Sequence, residues 1–167
     1  MHTSKAVSAA VVFFLSLAFS GLEAQSNFAS INATATVLAP ITVTAGNDLA
    51  FGNVTPGVAK TVGVTAAGAG TFSVSGTAST PVSLTFTLPT NLNSGGNLLP
   101  IGSWTGHHNT TNAPTGGTNF TPSASATPAT TSGSGNLYVF VGATVTPGFP
   151  QTAGSYTGSV QMTVVYE

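Results

Sequence analysis

The chain is 167 residues long, only 3% of them charged, with a formal net charge of −1. Capture of nucleic acid or of an anionic membrane surface needs clustered Lys and Arg, and the whole chain has two such residues. It has no cysteine, which excludes disulfides and a lipid-attached cysteine start, so an exported fold must rely on packing.

Lys5, the apolar stretch Ala6 to Phe19 and Leu22-Glu23-Ala24 read as a signal peptide over residues 1–24. The apolar run is about fourteen residues, short of the ~20 that a membrane span needs, so no stable membrane insertion is expected. Roughly 143 residues remain, enough for one domain with its own core. Their charged side chains are Asp48, Lys60 and Glu167, so Thr, Ser, Asn and Gly must cover the surface. Little charge repulsion then acts between copies.

Beyond the leader, helical periodicity is nearly absent and period-two alternation recurs. Ile31, Ala33, Ala35, Val37, Ala39, Ile41 and Val43 form one alternating series, interrupted at Pro40, which cannot donate to a ladder. Asp48 to Gly57 reads as a short strand around Leu49 and Phe51, then a Pro-Gly turn. Further strands are expected at Lys60–Thr65, Thr71–Gly76 and Val82–Leu88. Asn91 to Gly135 reads as long loops around one or two short strands, with Leu98 to Ile101, Trp104 and Phe120 able to reach a core. Alternation resumes at Asn136–Thr146 and again at the end, where Val160, Met162, Val164 and Tyr166 share one face. Strands at this spacing predict an all-β sandwich. That last strand is expected to leave an open edge, which is a hazard or an attachment point.

Chemistry-bearing residues are too few for a built catalytic site, and no catalytic residue, metal or cofactor is assigned. With a single Asp and a single Glu beyond the leader, paired carboxylates within one site are not expected, and no nucleophile-elbow motif accompanies Asp48. His107 and His108 are adjacent, so on a strand they would face opposite ways; they read as exposed loop histidines. Trp104 reads as an anchor for the long loop, with stacking on a sugar as the other option. Asn32, Asn53, Asn109 and Asn119 begin N-x-S/T triplets, common by chance in so Thr-rich a chain.

The closing run Thr152-Ala-Gly154-Ser-Tyr156-Thr-Gly158, with Gly154 fourteenth from the end and Tyr166 penultimate, resembles the last strand of cysteine-free CS1-like pilins of chaperone/usher fimbriae. Ile31 to Val43 looks like their donor segment, a proline and the first body strand. The stretches DLAFGNVTPG, GNLYVFVGATVT and AGSYTGSVQMTVVY also resemble bacterial secreted domains of the DUF4402 type. The pilin resemblance implies an immunoglobulin-like β-sandwich short of one strand and completed by a donor strand. Residues 25–40 would then be an N-terminal extension and 41–167 the domain. Ile31, Ala33, Ala35 and Val37 would enter a groove in a neighbouring copy, by strand addition. Gly154, Tyr156, Val160, Met162, Val164 and Tyr166 would form the acceptor and chaperone-recognition strand. The implied partners are further copies of the chain, a periplasmic chaperone and an outer-membrane usher, and the implied location is the bacterial surface, reached through the periplasm. The alternative is a self-contained, monomeric secreted sandwich of surface-binding or unknown role whose first strand is Ile31 to Val43, which nothing in the alternation excludes.

Overall fold

The computed structural model describes residues 27–167; the signal-peptide segment and residues 25 and 26 of the extension lie outside that range. The described chain falls into two units, one ending at Ala35 and one comprising Thr36–Glu167. In the first, residues 27–35 carry no strand, and Ile31 is 95% exposed. The second unit is the body. Its first residues, 36 to 40, also carry no strand.

The body is all-β, with two antiparallel sheets and no helix among the described residues. In chain order its strands are β1 (Thr42–Ala45), β2 (Lys60–Val62), β3 (Gly70–Ser75), β4 (Pro81–Thr87), β5 (Asn91–Ser94), β6 (Asn97–Asn109), β7 (Thr118–Phe120), β8 (Thr127–Thr130), β9 (Asn136–Val145) and β10 (Gln161–Tyr166). The larger sheet runs β1-β3-β9-β6-β5, with β2 beside β9 and β7 beside β6; the smaller runs β10-β4-β8. Central β9 holds β3 along its first half (Ser75↔Asn136 to Gly70↔Val141) and β2 along its second (Val62↔Ala143, Lys60↔Val145).

Alternation explains the layers. On β4, Val82, Leu84 and Phe86 turn inward, while β9 sends Leu137, Val139, Val141, Ala143 and Val145 the same way. The first core cluster lies between the sheets and joins β4, β9, Val74, Ala129 and Val164. A second cluster, Leu99, Ile101, Ala143 and Val145, lies on the large sheet alone, roofed by Leu49, Phe51, Val54, Leu92 and Tyr156. Trp104 packs against both clusters.

The middle of the chain is more ordered than its polar composition suggests. The thirteen-residue β6 carries a bulge between Gly102 and Thr105, where Ser103 has φ 47°. A bulge adds one residue to one strand and so reverses which face the next residues take. Leu99 and Ile101 face inward before it, whereas Trp104, Gly106 and His108 do so after it. The histidines expected in an exposed loop are therefore on β6: His107 is only 3% exposed, and His108 is half-buried. The strand expected around Leu49 and Phe51 does not form; both residues sit in a connection that covers the second cluster.

The body has two ends. At the root end the first residues of the body meet Tyr166: its hydroxyl donates to the Ala39 carbonyl (2.8 Å) and accepts from the Thr77 N–H (2.7 Å), while Ala39 N–H donates to Thr77 Oγ1 (2.7 Å). The far end is built by the loops around Pro56-Gly57-Val58 and Pro147-Gly148-Phe149, tied by Gly57 N–H to the Gly148 carbonyl (3.1 Å).

Candidate strand-accepting cleft

A cleft of about 990 Å³ lies over the second core cluster. One wall is the segment that follows β1, from Ala45 to Pro56, anchored by Gly46 N–H to the Thr71 carbonyl and Ala50 N–H to the Gly68 carbonyl, both 2.8 Å. The other wall is the segment leading into β10, Gln151 to Val160. Phe72, Leu92, Leu99, Ile101, Val141 and Val145 line it between these walls. The cleft thus separates the continuation of the first strand from the approach to the last, where the small sheet gives no cover.

The second wall is irregular in backbone yet tightly held. Asn93 and Thr157 exchange two backbone hydrogen bonds, 2.8 and 3.0 Å. Tyr156 donates its hydroxyl to the Thr152 carbonyl (2.7 Å) and accepts from Gln151 Nε2 (2.8 Å), which also reaches the Leu98 carbonyl (3.1 Å). Glycine is needed where this wall lies against β5. A Cβ on Gly154 would stand 2.6 Å from Ser94 Oγ, and one on Gly158 would stand 2.7 Å from Leu92 Cδ2.

The six residues assigned to the acceptor strand divide into two groups. Gly154, Tyr156 and Val160 precede β10 and line the cleft. Met162, Val164 and Tyr166 lie on β10 and pack on the first core cluster, Val164 buried and its two neighbours half-buried. Among the described residues β10 pairs only with β4, so its other edge offers free backbone groups beside half-buried apolar side chains. Of the donor residues, Ile31, Ala33 and Ala35 lie in the first unit and Val37 at the start of the body; all four are exposed and outside any strand. The reading from sequence did not assign the first wall to the cleft. Its signal was the apolar pair Leu49 and Phe51 beside a Pro-Gly turn.

Ionisable groups do not converge. Asp48 lines the cleft, Lys60 Nζ donates to the Asn53 carbonyl (2.8 Å), and Glu167 accepts from Ser83 Oγ. His107 has both ring nitrogens engaged, Nδ1 with Asn119 Oδ1 (2.7 Å) and Nε2 accepting from Gly117 N–H (3.2 Å), so its ring ties β6 to the segment that carries β7. His108 lies on the other face beside the Phe120 ring, centroids 5.7 Å apart. Burial lowers its pKa from 6.5, and the neighbouring His107 adds to the effect. Among the described residues no three His, Cys, Asp or Glu side chains group as metal ligands, and no helix is long and apolar enough to cross a membrane.

Residues 41–166 match the family described as a domain of unknown function, DUF4402. No curated protein and no solved structure matches the chain.

Proposed function

The chain belongs to the DUF4402 family, and from its cleft and its extended arm we propose that it is a structural subunit of a bacterial surface filament, assembled by donor-strand exchange and serving adhesion or biofilm. The observation that carries this reading is the apolar-floored cleft of about 990 Å³ running up to an unpaired edge of β10. An extended peptide laid there would gain backbone hydrogen bonds from the edge and side-chain burial from the floor. Residues 27–40 supply such a peptide, exposed and without strand, with Ile31 and Val37 as the large aliphatic groups of its alternating series. Burial of each would contribute roughly 1.5–3 kcal/mol. On this reading the subunit is of immunoglobulin-like type and completed by its neighbour, the chemistry is assembly with no bond made or broken, and a chaperone covers the cleft until an usher exchanges it for the next arm. The surface filament is the place of action.

The purified protein is expected to form polymers that resist detergent until heated. Ile31→Asp together with Val37→Asp should abolish them while leaving the circular-dichroism spectrum unchanged, because residues 27–40 form no strand. A labelled peptide of residues 25–40 should bind the double variant. A protein that stays monomeric at high concentration and ignores the peptide is instead a self-contained secreted sandwich.

A further inference from the structure

We propose that the far end of the body is a docking surface for the root end of a second copy, so that subunits meet end on, with Lys60 of one facing Glu167 of the next. This rests on the strand-exchange reading and adds to it a body-to-body contact and its residues.

The direction of the arm follows from the topology. β10 runs from the far end, where Gln161 pairs with Thr87, to the root end, where Tyr166 pairs with Val82 and holds Ala39. The cleft reaches the far end at Pro56 and Pro147. An arm lying antiparallel to β10 leads back to its own body beyond the acceptor's far end. A parallel arm would place that body at the acceptor's root end, where the acceptor's own arm already leaves. Only the first arrangement extends into a filament, because it joins two different surfaces head to tail.

The two ends are built to meet. Val58, Leu98 and Phe149 are exposed apolar side chains at the far end, Phe149 to 88%. They stand on backbone held by hydrogen bonds: Val58 N–H to the Thr55 carbonyl (3.1 Å), Gly57 to Gly148, and Gln151 to Leu98. Large apolar groups held out on rigid loops mark contact surfaces. The root end carries an exposed apolar side chain of its own, Leu38, just before Pro40. Charge sorts the same way. Of the three charged side chains among the described residues, Asp48 lines the cleft, the cation Lys60 opens β2 at the far end, and the anion Glu167 follows β10 at the root end. Each of the latter two is held by an uncharged partner, Asn53 or Ser83. End-on stacking brings opposite charges together, and on so neutral a surface that one pair helps set orientation.

The test uses the full chain in three forms: Phe149→Ser, Lys60→Glu, and Lys60→Glu with Glu167→Lys. Polymer growth is followed by light scattering and electron microscopy. Binding of a labelled peptide of residues 25–40 is measured in parallel on each form, and on the unaltered chain, with Ile31→Asp and Val37→Asp added to keep the cleft free. Phe149→Ser should weaken subunit association by about tenfold or more while peptide binding stays within about twofold of the unaltered chain. Lys60→Glu should also weaken association, and the double charge swap should restore it. Peptide binding that is retained while association is indifferent to Phe149→Ser, or a swap that fails to rescue Lys60→Glu, overturns the end-on contact and spares the cleft. Loss of all peptide binding in the chain carrying Ile31→Asp and Val37→Asp overturns the cleft reading, and an unaltered chain that also stays monomeric overturns both.

Discussion

Tyr166 was legible in the sequence as an aromatic on the last strand, yet its hydroxyl does work that no local pattern reveals. Its partners Thr77 and Ala39 stand 89 and 127 residues away along the chain. Gly76 makes room for it, since a Cβ there would sit 2.5 Å from the phenol oxygen. Tyr166→Phe removes a group that both donates and accepts at this junction. It should cost about 1–2 kcal/mol of stability, read as a lower denaturation midpoint in urea with an unchanged slope. His108 makes a second prediction. Its folded-state pKa lies below the ordinary 6.5, chiefly because burial disfavours the charged ring. Between those two values the unfolded chain holds a proton that the folded chain refuses, so stability is full above about 6.5, falls as pH drops through the folded pKa, and then levels off. His108→Gln should flatten that slope in melting temperatures taken on either side of the window. The sequence showed the adjacent pair but not its setting, because the β6 bulge and the ring of Phe120 create it.

Strands were readable where the inward-facing apolar residues keep an unbroken period of two. β4 and β9 are such cases, with Val82, Leu84 and Phe86 on one and Leu137 to Val145 on the other. β6 escaped because Leu99 and Ile101 sit in one phase and Trp104 in the opposite one, the bulge at Gly102 having switched faces between them. Leu49 and Phe51 misled in the reverse sense: they alternate like a strand, but their side chains roof the second cluster while their backbone joins no ladder. Four of the six acceptor residues, Val160, Met162, Val164 and Tyr166, were visible as alternation, although Val160 precedes β10; the other two, Gly154 and Tyr156, came from a resemblance and lie in a loop wall. Packing differs across the small sheet, and mutations should report it. Leu84→Ala, in the closed core, should cost about 2–5 kcal/mol, whereas Met162→Ala, half-buried beside the open edge, should cost well under that in the isolated subunit. If a neighbour's arm covers that edge, the Met162→Ala loss should grow in the polymer, measured as a lower heat of dissociation.

For the whole molecule, scarcity of charge is the governing trait. With 3% charged residues the surface gives little repulsion between copies, so any contact between them rests on shape, backbone edges and a few placed apolar groups. The junction at Tyr166 also has a mechanical meaning. If the arm is drawn away from the root end, tension passes through Pro40 into β1, whose four pairs with β3 from Thr42↔Ser75 to Ala45↔Phe72 are then loaded lengthwise. Bonds strained in shear must give way together, whereas a peeled ladder opens one rung at a time. The phenol–carbonyl bond at Ala39 lies just before that ladder and diverts part of the pull into β10. Single-molecule stretching should therefore find a lower rupture force for Tyr166→Phe than its small loss of equilibrium stability would suggest, making this tyrosine a strain-bearing rivet as well as a packing residue.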